Sequence, residues 1–308
     1  MKILFLIVLI LLITIACKYI IIFSEFMSNS DKIIYKSFWT DDHASFSSYF
    51  EQILSDKVLK KYDKIIIFSV MGDGPFIKEP NTLYIHYSGE PFYNFNSNYD
   101  IYLIGDKTDY KKKIISVPLA QLICTLEKPI VKILKSRRLL DKKTKFCCFV
   151  NSNPNGKKRN EFFFKLNKRK KIDAGGPLFN NIGFYAPRDN EGYKNFAKQY
   201  KFQICFENTS LDYYLTEKII NAYINNTIPI YWGCPQVKEI LNEKAFLYLP
   251  PDATEKDMEN LIKKILEIDK NDKLYEQIYN EPLIIHENLP KYLDSEYTKQ
   301  QIDNLLSL

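Results

Sequence analysis

The segment FQICFENTSLDYYLTEKIINAYINNTIPIYWG, residues 202–233, constrains the fold more than any other stretch of the chain. Residues 202–206 form a short apolar run suited to a buried strand, and residues 228–231 form a second one that Gly233 stops. Between them the spacing predicts a helix over residues 214–225, with Leu215, Ile219, Ala222 and Tyr223 on one buried face. Two strands joined by a helix imply a parallel pair with a crossover. Lys218 then falls in the first helical turn, where the positive end of the dipole disfavours a cation unless an anion binds there as well. Helix amides together with a lysine make a phosphate site.

The blocks CFEN (205–208), YLTEKI (214–219) and IPIYWG (228–233) carry a resemblance, because all three fall in order within one 32-residue stretch. They are similar to the signature of the α-1,3/4-fucosyltransferases, glycosyltransferase family ten. The resemblance continues upstream through FVNSNPNGKKRNEFFFKL (149–166), which matches the family's S-N-P-N turn followed by an arginine and a helix. Before residue 145 only Tyr87-Ser88-Gly89-Glu90 is recognisable, so about half the chain is covered. The resemblance implies a GT-B-like α/β fold of two Rossmann-like domains facing a cleft, with GDP-fucose as the donor substrate.

A chain of 308 residues suits two domains, and 15% aromatic content excludes a disordered one. The net charge of +6, from 43 basic and 37 acidic side chains, does not demand nucleic acid and suits a negatively charged small substrate equally well. Residues 3–23 are apolar apart from Lys18 and are long enough to cross a bilayer core. A cleaved leader would begin in the same way, but the apolar run at 19–23 extends past the small residues at 14–17 and favours an uncleaved anchor. The family resemblance implies a single-pass type II membrane protein, with a cytoplasmic amino terminus and a lumenal, Golgi-like catalytic region.

Downstream of the anchor, residues 24–140 alternate weakly between strand-like and helical patterns, with strands at 64–70, 82–87, 100–104 and 113–117. Helical material falls at 46–61 and 119–139, and the basic run KSRRLLDKKTK (135–145) is the candidate connection to a second unit, residues 141–308. That unit alternates more clearly, opening with a strand at 146–150, a turn at 152–155 and a helix at 158–167. Six cysteines leave the redox compartment open; Cys147 and Cys148 point to opposite faces of a strand and Cys205 is expected in the core, so at least some are expected as buried free thiols. Asn208 and Asn225 each begin a glycosylation sequon, and Asn208 is better read as a site residue because it lies within the signature.

Transfer of a sugar from a nucleoside diphosphate requires charge stabilisation on the departing diphosphate and a base for the acceptor hydroxyl. Lys218 and Arg159 are the candidates for the diphosphate, since a guanidinium can grip two phosphate oxygens. Without the resemblance Arg159 would read as one cation among many on a solvated helix. The family carry-over puts Asn208, Tyr214 and Glu217 around the donor as well, while Glu207 reads as an anchor for the turn. The family's catalytic base aligns with Glu90, although Pro91 follows it where relatives often carry Asn. His43, His86 and His286 have no ligand spacing and no D-x-D triplet occurs, so no metal site is assigned and no cofactor is required. Stimulation by a divalent metal stays open.

The leading expectation is an inverting fucosyltransferase acting on a glycan acceptor, at the 3-hydroxyl of an N-acetylglucosamine. One alternative is a glycosyltransferase using another nucleotide sugar. The other is a non-catalytic glycan- or nucleic-acid-binding protein, drawing on the basic, aromatic-interleaved stretch 157–171.

Overall fold

The computed structural model describes residues 26–27, 32–38, 43–70, 76–91, 95, 98–138, 140 and 142–308. The anchor expected at 3–23 lies outside the described residues, among which no helix is long and apolar enough to cross a membrane. The chain forms two compact units. One runs to Ser116 and regains Glu296–Leu308 at the end of the chain; the other is Val117–Ser295.

In the first unit the strands β1 (Phe26–Met27), β2 (Ile33–Lys36), β3 (Lys64–Phe68), β4 (Thr82–Ser88), β5 (Ile101–Ile104) and β6 (Ile114–Ser116) lie side by side in chain order. All neighbours are parallel except β1, which runs antiparallel to β2. A parallel sheet is covered on both faces, and β3 to β6 are accordingly near-continuous apolar runs. Alternation places Ile66, Phe68, Tyr84, Tyr102 and Ile104 on one face, where they cluster with Tyr99 and Phe76. On the opposite face Tyr87 meets Phe50 at 5.3 Å. The predicted helix 46–61 is two helices, α1 (His43–Ile53) and α2 (Asp56–Lys61), because Ser55 turns extended and caps α2 by accepting the Val58 N–H. The Ser55 hydroxyl also donates to Asp303 at 2.6 Å, tying the carboxy-terminal segment to this unit.

The second unit opens with α3 (Leu119–Leu126) and α4 (Lys128–Leu134), where one helix was expected over 119–139. Pro129 forces the break, since it lacks the N–H that a continuous helix needs. The strands β7 (Lys145–Phe149), β8 (Asp173–Ala174), β9 (Tyr200–Ile204), β10 (Ile228–Tyr231) and β11 (Leu247–Tyr248) form a wholly parallel sheet of order β11-β10-β9-β7-β8. The intervening helices are α5 (Lys157–Arg169), α6 (Asn190–Ala197), α7 (Glu217–Ile224) and α8 (Val237–Ile240), followed by α9 (Glu255–Lys270), α10 (Asp272–Tyr279) and α11 (Ser295–Leu305). Phe202, Ile204, Ile228 and Ile230 join the core on the α5 and α9 side, and Cys205 and Tyr231 join the one beneath α7.

These units divide at 116/117 rather than at the residue 140 expected from sequence. The reason is packing: α3 and α4 bury Ala120, Cys124, Ile130 and Leu134 against Ile219, Ile220 and Tyr223 of α7. The basic run taken as a connection is anchored to this unit by one of its residues. Arg138 is buried and donates to the carbonyls of Tyr279, Tyr223 and Thr227 at 3.0, 2.9 and 2.7 Å. Its guanidinium lies 3.9 Å from the Tyr223 ring and 4.2 Å from the Tyr279 ring. The five described cysteines are all buried free thiols.

Candidate functional site

The strand order of the second unit singles out one place for a ligand. From β7 the chain crosses through α5 to β8 on one side, then returns to β9 on the other side of β7 and continues through α7 to β10. The connections leaving adjacent strands β7 and β9 therefore diverge and open a crevice at their carboxyl ends, where open α/β sheets bind ligands. A pocket of about 720 Å³ occupies this position. The turn Asn151–Ser152–Asn153 after β7, Gly175 and Gly176 after β8, Cys205 and Asn208 after β9, and Glu217, Lys218 and Asn221 of α7 all line it. A β-carbon on Gly176 would lie 2.3 Å from the Asn151 carbonyl oxygen, so only glycine lets these two loops close together.

Helix α7 presents its amino terminus to the pocket with the polar groups already tied. Thr216 is the N-cap, its hydroxyl accepting the Lys218 N–H, and the same hydroxyl accepts from the Lys218 ammonium at 3.0 Å. Glu207, completely buried, holds the assembly from beneath. It accepts from Thr216 N at 2.9 Å, Thr216 Oγ1 at 2.7 Å, Lys218 Nζ at 3.1 Å and the Tyr231 hydroxyl at 3.3 Å. Burial works against the charge on Lys218, but Glu207, then Glu217 and Tyr214, outweigh it. The ammonium is held above the ordinary lysine range.

Arg159, on the first turn of α5, is buried with 0% exposure and stands behind the pocket wall. Its guanidinium donates to Asn208 Oδ1 at 2.7 Å and to the Asn153 carbonyl. Gly156 makes room for it, since a β-carbon there would sit 2.7 Å from Arg159 Cζ. Burial pulls the Arg159 pKa below its ordinary value, partly offset by Glu207 and Tyr214.

Of the six residues singled out from sequence, Asn208, Glu217 and Lys218 line this one pocket. Arg159 and Tyr214 are buried behind it and are not part of its lining. Glu90 belongs to the first unit, where it follows β4. There the Ser88 hydroxyl accepts the Glu90 N–H at 3.2 Å and donates to the Glu90 carbonyl at 2.9 Å, closing the turn after the strand. The structure adds lining residues that sequence reasoning passed over, among them Tyr185, Arg188 and a Gln203 whose amide donates to the Tyr193 hydroxyl at 3.0 Å. The Gly175-Gly176 pair after a short strand was the available signal for that wall. Asn225, read as a sequon, is buried and lines the pocket, so its amide is not presented as a glycan carrier. Among the described residues no group of three or more His, Cys, Asp and Glu is placed to hold a metal ion.

A parallel α/β unit with a lysine-bearing helix terminus at its switch point is the architecture of a nucleotide-binding unit. Residues 140–281 match the model of glycosyltransferase family 10 (fucosyltransferase), carboxy-terminal region. Over 102 residues, 33% of this chain and 20% of the relative, it is 47% identical to the α-(1,3)-fucosyltransferase FucT of Helicobacter pylori. Over 247 residues, 75% of this chain and 40% of the relative, it is 30% identical to a protein of Acanthamoeba polyphaga mimivirus that bears a fucosyltransferase name. The chain thus spans well under half the length of either curated relative. A crystal structure of an α1,3-fucosyltransferase with GDP-fucose shares the fold, with a TM-score of 0.64 over 92% of this chain and 94% of that one at 21% identity.

Proposed function

We propose that the chain is an inverting fucosyltransferase that moves L-fucose from GDP-fucose to a glycan hydroxyl, the 3-hydroxyl of an N-acetylglucosamine. The observation that carries this reading is Lys218 at the amino terminus of α7, its ammonium charged and immobilised in a pocket at the switch point of a family 10 domain. In the transfer the bond between fucose C1 and the β-phosphate oxygen breaks while the acceptor oxygen attacks C1 from the opposite face. Negative charge then accumulates on the departing diphosphate, where Lys218 and the first amides of α7 stabilise it. Asn208 and Glu217 offer hydrogen bonds to sugar hydroxyls, with Arg159 fixing Asn208 from behind and Tyr214 buttressing the same wall. Glu90 takes the acceptor proton.

The same proposal includes the finer architecture: a GT-B enzyme whose first unit serves the acceptor and whose second holds the donor. It also includes residues 3–23 as a type II anchor with a lumenal catalytic region. The nucleic-acid reading is weakened at the end of α5, where Lys165, Arg169 and the C-cap Lys170 pair with Glu255, Glu259 and Asp269. Cations already matched by neighbouring carboxylates do not make a phosphate-tracking stripe.

The test is turnover by the full-length chain in detergent, with GDP-fucose and competing nucleotide sugars offered against a glycan panel and product linkage determined. Fucose transfer from GDP-fucose alone, in 1,3 linkage, is the expected outcome. Transfer of a different sugar, or none from any donor, overturns the assignment.

A further inference from the structure

We propose that Glu207 is a positioning residue of the donor site, fixing Lys218 and the first turn of α7 in the arrangement that meets the diphosphate. This inference rests on the donor reading above and concerns how the site is held rather than what it binds.

The geometry confines Glu207 on every side. Its backbone N–H donates to the Trp232 carbonyl at 2.9 Å, locking the residue to the end of β10. Gly233 closes over the side chain, and a β-carbon there would lie 2.3 Å from Glu207 Cγ. Each carboxylate oxygen then takes two donors. Oε1 accepts from Thr216 N and the Tyr231 hydroxyl, and Oε2 from Thr216 Oγ1 and Lys218 Nζ. A fully buried carboxylate bound in this way has no second orientation to adopt. The lysine stem is thereby steered, and of its three N–H groups two are directed at Glu207 and Thr216. Glu217 stands 3.7 Å from the ammonium, beyond hydrogen-bond reach, leaving the third N–H for a ligand.

The charges around Lys218 make the idea testable through pH. Glu207, Glu217 and Tyr214 favour its charged form against burial, and Cys205 lies near enough to sense it, while Arg159 faces Glu207 from α5. Replacing Glu207 with Gln preserves shape but leaves burial opposed only by Glu217 and Tyr214. The ammonium then loses its proton at lower pH than in the wild type, and the grip on phosphate goes with it.

The experiment measures GDP and guanosine affinity by calorimetry for wild type, Glu207→Gln, Lys218→Met and the double variant between pH 7 and 9. Comparison with wild type at each pH cancels the titration of the nucleotide itself. Glu207→Gln is expected to bind GDP roughly tenfold or more weakly, the scale of one charge-assisted hydrogen bond, with the deficit widening as pH rises. Guanosine affinity stays unchanged, and Glu207→Gln adds no further loss in the Lys218→Met background. Should Glu207→Gln not fold, Glu207→Asp retracts the carboxylate by one methylene while keeping its charge, and it is expected to weaken GDP by a similar factor with no widening. Wild-type GDP affinity in Glu207→Gln, or in Glu207→Asp if that variant is needed, alongside a loss in Lys218→Met overturns the positioning role alone. Failure of the wild type to bind GDP overturns the donor reading instead.

Discussion

Replacing Arg159 with Lys isolates what the guanidinium fork does in the unliganded protein. Arg159 is fully buried and its two terminal nitrogens each donate to one acceptor, Asn208 Oδ1 at 2.7 Å and the Asn153 carbonyl. A lysine keeps the charge but offers a compact ammonium without the planar spread that spans both. Loss of one hydrogen bond to a charged group costs about 1.5–3 kcal/mol. The affected unit, Val117–Ser295, falls in the size class in which 1 kcal/mol moves the melting temperature by about 2–4 °C. The expected fall is therefore roughly 3–12 °C, read by scanning calorimetry without nucleotide. Arg159→Met, which abandons both acceptors, is expected to fall further, since about 3–6 kcal/mol is a large part of a domain's total stability. An Arg159→Lys protein melting within about 1 °C of wild type would refute the reasoning, because the fork would then be dispensable for holding the Asn153 turn to Asn208.

Glu90→Gln should lower turnover by roughly 10²–10⁴ while GDP affinity, measured by calorimetry, stays at the wild-type value; near-normal turnover would remove Glu90 from proton transfer. Gly233→Ala should destabilise by about 1–3 kcal/mol in a thermal melt and weaken GDP binding as well. The position has φ of +152° and directs a β-carbon into Glu207, so an unchanged melt would contradict the described contact. Burial pushes the Cys124 and Cys234 thiols up to about 12 and raises Cys147, Cys148 and Cys205 too. These groups keep their protons when folded and lose them when unfolded above the ordinary thiol value, so their contribution is intact below about pH 8.5. Melting temperature is expected to decline as pH rises beyond that toward 12, and a flat profile to pH 11 would count against it.

What the sequence disclosed follows the range of the forces involved. The β9-α7-β10 segment is legible because its apolar runs and its helical stripe are local patterns, and its boundaries shift only where a single side chain decides. Thr216 caps the helix and so moves its start from the expected residue 214 to Glu217. Tyr200, wholly buried and paired with Lys145, extends β9 backwards. By contrast β2, four residues within a polar and aromatic stretch, owes its existence to parallel pairing with β3. Nothing local separates Arg138 from the exposed Arg137 beside it. Its partners Tyr223 and Tyr279 lie 85 and 141 residues away, a distance no periodicity spans. The candidate site divides on the same line. Lys218, Glu217 and Asn208 share a motif and meet in one pocket, whereas the withdrawal of Arg159 behind Asn208 depends on Gly156 before it and on a partner 49 residues away, in the loop after β9.

The return of the last helix to the first unit has a consequence for anyone who would exchange parts between relatives. The second unit is not a tail appended to the first but an insert within it, entered at 116/117 and left at 295/296. A chimaera spliced once near residue 140, where the family match begins, would carry off a second unit stripped of α3, α4 and the Arg138 clasp. It would also leave the first unit without the carboxy-terminal segment that Ser55 and Lys61 hold. A graft that respects the chain's path needs two seams, and the specificity it transfers is then that of a whole folded module.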